Sequence, residues 1–111
     1  MEELLKASND GLRKVQKEFD KYQKKYFPKR SPEFFCLELN GEAGELANFE
    51  KKHWKGRHIE KECFEDEAAD VLIALMNYSN SRQIDLGKAV AKKLEIIEQK
   101  RKEREQKGKE Y

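Results

Sequence analysis

The chain has 111 residues, of which 37% are hydrophobic and 41% charged, with a formal net charge of +2. This suffices for one domain with a small core and argues against a large one. The near-balanced charge argues against a dedicated nucleic-acid binder, and no apolar run is long enough to span a bilayer. The opening residues, Met1 to Lys6, lack the apolar stretch of a signal peptide, so a cytoplasmic protein is expected. Two cysteines, Cys36 and Cys63, stand outside any CxxC spacing and read as small packing residues, not as a disulfide framework.

Taken in order, residues 2 to 26 read as a helix in two parts, with Ser8, Asn9, Asp10 and Gly11 offering cap residues where the regular portion begins. Leu12, Val15, Phe19, Tyr22 and Tyr26 recur at intervals of three and four, which predicts an amphipathic helix with one buried face. Phe27 to Arg30 ends it. Ser31 and Pro32 then supply a cap and a first-turn proline for a second helix to about Lys52. His53 to His58 reads as a connection rich in groups that contact an anion or stack on a ring. A third helix is expected from about Ile59 to Asn80, with an acidic first half and an apolar run, Val71 to Met76, that should be the most buried segment. Asp85 caps a fourth helix carrying Leu86, Val90, Leu94 and Ile97. From Glu98 to Tyr111 lysine, arginine and glutamate alternate without apolar spacing, so a solvated, fraying helical extension is expected there. A single domain over residues 1–97 precedes it.

Two short acidic signatures interrupt this pattern. Glu42-Ala43-Gly44-Glu45 lies among Phe35, Leu39, Leu46 and Phe49, and Glu67-Ala68-Ala69-Asp70 lies among Phe64, Val71, Ala74 and Tyr78. Each pair sits one helical turn apart on the face that should turn inward. A desolvated carboxylate takes up a proton or finds a counter-charge, and two facing acidic pairs make an oxygen-rich box suited to a hard divalent cation. Glu38, one turn before Glu42, is a possible extra acid. The competing reading is a helical interaction module, dimerising through its stripes, whose acids only form salt bridges to the plentiful lysines.

The ordered set Gly41-Glu42-Ala43-Gly44-Glu45-Leu46-Ala47, then Asp66 to Ile73, then Ile84-Asp85-Leu86 resembles the MazG-like, all-α nucleoside triphosphate pyrophosphohydrolases, closest to their small dCTPase-like branch. The resemblance covers about Phe34 to Leu94. It implies an all-α, four-helix bundle-like fold completed by oligomerisation as a dimer or tetramer. It also implies Mg2+ (or Mn2+) on Glu42, Glu45, Glu67 and Asp70, and cleavage of a (d)NTP, expected to be a dNTP, to the monophosphate and pyrophosphate. Glu42 or Glu45 would handle the attacking water. Lys93, with Lys52, Lys55 or Arg57, would steady the phosphates, and Phe34, Phe35 or Trp54 would stack on the base. Three positions depart from the pattern: Gly41 stands where many relatives have a glutamate, Ile97 stands where they have an asparagine, and their arginine-tyrosine-proline ending is absent.

Overall fold

The computed structural model describes residues 1–108, and within them every regular element is a helix. The helices are α1 (Glu2–Ala7), α2 (Arg13–Tyr26), α3 (Pro32–Trp54), α4 (Lys61–Ser81) and α5 (Leu86–Gln106). Between α1 and α2 the backbone stays helical but widens into a π-helical segment, Ser8–Leu12, with no cap at Ser8. The expected break is therefore a change of winding, because Ser8 spends its hydroxyl on another helix.

The starts of α3 and α5 follow the predicted chemistry, while α4 begins at Lys61, two residues after its expected start and without a side-chain cap. Ser31 is extended and its Oγ accepts from the Phe34 N–H at 3.3 Å, with Pro32 in the first turn. Asp85 does the same for α5, accepting from Lys88 N–H at 3.1 Å. The helix α3 runs two residues beyond its expected end, so His53 and Trp54 are helical and not part of the connection. Its end is a Schellman motif: Gly56, at φ 94°, donates to the His53 carbonyl (2.9 Å) and Arg57 donates to the Lys52 carbonyl (3.0 Å). The helix α5 passes residue 97 without interruption, and Glu98 pairs with Arg101, which also bonds Glu105 at 2.7 Å. The last three residues of the expected extension, 109–111, lie outside the described part.

The chain sorts into two compact units, one of Met1–Phe19 with Ile84–Tyr111 and one of Asp20–Gln83. In the first, the N-terminal helical run packs on α5 through a polar seam. Ser8 donates to the Gly87 carbonyl at 2.7 Å. Gln16 donates to the Ile84 carbonyl (2.7 Å) and accepts from the Leu86 N–H (2.8 Å), and Arg13 pairs with Asp85 at 3.0 Å. Gly87 permits this approach, because a Cβ there would collide with the Ser8 carbonyl and the Arg13 side chain. In the second unit α3 and α4 pack along their lengths, with Phe49, Phe64 and His53 meeting edge to face.

Burial departs from expectation in two places. Val15, Tyr22 and Tyr26 on the α2 stripe are each more than half exposed. Of the Val71 to Met76 run, only Ala74 and Met76 are buried, while Leu72 and Ile73 face outward. A helix apolar on all sides needs neighbours on all sides, and within its unit α4 has α3 on one. Among the described residues the buried apolar side chains are Phe35, Ala74, Met76 and Ala91. None of these helices is long and apolar enough to cross a membrane.

Candidate metal centre

The α3–α4 contact brings the two acidic signatures together. A spacing of three residues sets the acids of each pair one turn apart, and carboxylate oxygens of Glu42, Glu67 and Asp70 all lie within 4.8 Å of one another. All three residues are half-buried. Oε2 of Glu42 and Oε2 of Glu67 are shut off from solvent with no hydrogen-bond partner. No lysine or arginine is within ion-pair distance of Glu42, Glu45, Glu67 or Asp70 among the described residues.

The electrostatics follow from that geometry. Burial first, then contact with Glu45 and Glu42, then their charges, push the Glu67 carboxyl from 4.5 up to about 7. Burial also raises Glu42. Contact with Glu67 pulls it the other way, and the charges of Glu45 and Asp70 add to the rise. Glu45 is exposed and outside the tight trio, yet near enough to Glu67 to be the second cause of its shift.

The remaining candidates scatter. Phe35 lies two turns before Glu42 on the same side of α3, buried and edge-on to Phe34 at 5.5 Å, where it is core rather than open to a ligand. Lys52, seven residues past Glu45 and so on the same side, has its Nζ 5.9 Å from the Phe49 ring centre. Glu38 is exposed and outside the trio. Trp54 is nine residues past Glu45, half a turn round the helix and about 13 Å along it. It points away from the acids. Lys93 is exposed on α5, in the other unit.

Sequence reasoning missed the seam residues Ser8, Arg13 and Gln16. Their spacing of five and three carries no motif, and only the pairing of the N-terminal run with α5 makes sense of them. Gly41 and Gly44, beside the acids, have open space where a side chain would go. No family model, curated protein or solved structure matches this chain.

Proposed function

We propose that this chain is a magnesium-dependent nucleoside triphosphate pyrophosphohydrolase, cleaving a (d)NTP between its α- and β-phosphates to the monophosphate and pyrophosphate. The observation that carries the reading is the pair of buried, unpartnered carboxylate oxygens on Glu42 and Glu67, converging with Asp70. A helical scaffold gains nothing from such a cluster, since like charges at this distance raise one another's pKa and oppose folding.

The donor set fits a hard divalent cation: oxygen ligands only, on two helices, with no lysine in ion-pair distance among the described residues. Glu42, Glu67 and Asp70 would hold the ion, which would supply charge neutralisation for the phosphate oxygens and a more acidic water. Glu45, the solvent-open acid of the group, orients the attacking water and accepts its proton. The water oxygen bonds to the α-phosphorus and the bond to the bridging oxygen breaks, so pyrophosphate departs with the electron pair. Lys52, on the same side of α3 as Glu45, meets the outgoing phosphates. The open surface at Gly41 and Gly44 lets a phosphate chain approach the backbone beside the acids.

The outward-facing Leu37, Leu72 and Ile73 belong to a homo-oligomeric interface in this reading, as a dimer or tetramer, and no membrane is involved. House-cleaning of the nucleotide pool is the biological role that suits this chemistry. The test is pyrophosphate release from a panel of common dNTPs and NTPs, in magnesium and in EDTA. Release that needs magnesium supports the proposal. Absence of release across the panel, or release indifferent to EDTA, counts against it.

A further inference from the structure

Net charge is a sum, and a balanced sum hides local concentration. The end of α3 and its turn read Lys51-Lys52-His53-Trp54-Lys55-Gly56-Arg57-His58: four fixed cations and two histidines with no acid among them. The flanking acids are Glu50, and Glu60, which pairs with His58 at 2.8 Å. None of Lys51, Lys52, Lys55 and Arg57 has an ion-pair partner among the described residues. Cations at a helix C-terminus offset the dipole, which explains some of them and not the residue in their midst.

That residue is Trp54, 85% exposed, the most exposed large hydrophobic side chain of those described. It has neither a hydrogen bond nor a ring contact there. Its neighbours behave otherwise: His53 turns inward onto Phe64, ring centres 5.9 Å apart, and Lys52 lies over Phe49. The Schellman motif holds the turn through the Gly56 and Arg57 amides. So the indole is exposed at a fixed turn, with cationic residues on both sides of it in the chain.

We propose that the Lys51–Arg57 turn is a binding site for single-stranded nucleic acid, with Trp54 stacking on a base and Lys51, Lys55 and Arg57 meeting phosphates. The site is separate from the acidic centre, and it stands whether or not the hydrolase reading does. A stacking ring with cations tracking a backbone is how sequence-tolerant strand binding is built. A free mononucleotide fits poorly, because it engages one ring face and few of the cations. An anionic membrane fits poorly too: insertion scales with apolar area, and Trp54 has only lysine, arginine, histidine and glycine beside it.

Trp54 is the sole tryptophan, so its fluorescence reports on the site directly. The titration uses the full chain in EDTA, where metal-dependent hydrolysis cannot run, with an oligothymidylate of twelve nucleotides, dTMP, and phosphatidylglycerol vesicles as separate arms. The oligonucleotide should quench Trp54 without a blue shift, and dTMP should bind at least about 100-fold more weakly. With about three phosphate contacts, affinity should fall about 20-fold between 50 and 200 mM salt. In anisotropy with a labelled strand, Trp54→Ala should weaken binding about tenfold and Trp54→Phe less, with both variants keeping wild-type helicity by circular dichroism. Arg57→Ala should lower the salt slope by about 0.7.

Several outcomes would overturn the proposal. These are no oligonucleotide binding at low salt, equal binding of dTMP, a blue shift with vesicles alone, or a blue shift on raising protein concentration, which would put a second copy on the turn. Strand binding that both Ala variants leave unchanged would also overturn it.

Discussion

Polar groups are packed between helices in both units, and the two regions treat them in opposite ways. In the seam of Ser8, Arg13 and Gln16 against the start of α5, the hydroxyl, the amide and the carboxylate each meet a partner between 2.7 and 3.0 Å. In the α3–α4 contact, two carboxylate oxygens are buried and meet none. The first arrangement is what a fold needs, because a satisfied polar seam fixes one pairing of helices. The second is what a fold avoids. Its cost persists only where another requirement maintains it, and in the proposed function that requirement is a cation.

Substitutions break this comparison in graded ways. The largest effect is expected at the acids: Asp70→Asn or Glu67→Gln should lower magnesium-dependent pyrophosphate release by at least about 100-fold while helicity by circular dichroism is kept. Next is the seam. Gln16→Ala leaves the Ile84 carbonyl and the Leu86 amide without their partner and should destabilise by about 2–4 kcal/mol in urea melts, and Gly87→Ala by about 1–3 kcal/mol through its clash. Neither should alter how activity depends on magnesium.

A third contrast is in pH. Glu67 titrates at about 7 in the folded protein against 4.5 for the free group, so between these values the folded state holds a proton that the unfolded chain has released. Stability of the metal-free protein should therefore fall as pH rises from 5 to 8, and Glu67→Gln should flatten that slope. Magnesium competes with the same proton, so its affinity should rise over the same range. The smallest effect is Gly41→Ala, which should stabilise the helix by about 0.5–1 kcal/mol, since the site is open within the chain. If phosphate approaches the backbone there, the gain in stability should come with a loss of activity.

Helix boundaries were legible wherever local chemistry sets them. Ser31-Pro32 and Asp85 are caps by composition and are caps in the structure. The convergence of Glu42, Glu67 and Asp70 was legible as well, because carboxylates breaking two apolar stripes can be read from spacing alone. The π-helical segment was not, since Ser8 leaves the cap role only because the Gly87 carbonyl is within reach. Burial was overestimated for Val15, Tyr22, Tyr26, Leu72 and Ile73. Periodicity says that a face is apolar; it does not say whether the covering surface lies in the same chain. The position of Trp54 was misjudged for a simpler reason. The Schellman end at Gly56 carries α3 two residues further, which fixes the indole on the far side of the helix from Glu45.

The most direct test of the central claim is thermal melting of wild type and Glu67→Gln at pH 8, with EDTA and with magnesium. The account predicts that magnesium raises the wild-type Tm. It also predicts that Glu67→Gln melts above wild type in EDTA and gains little from the ion. A wild-type Tm indifferent to magnesium, or a Glu67→Gln protein that melts lower in EDTA, would mean that the acids support the fold and do not await a cation.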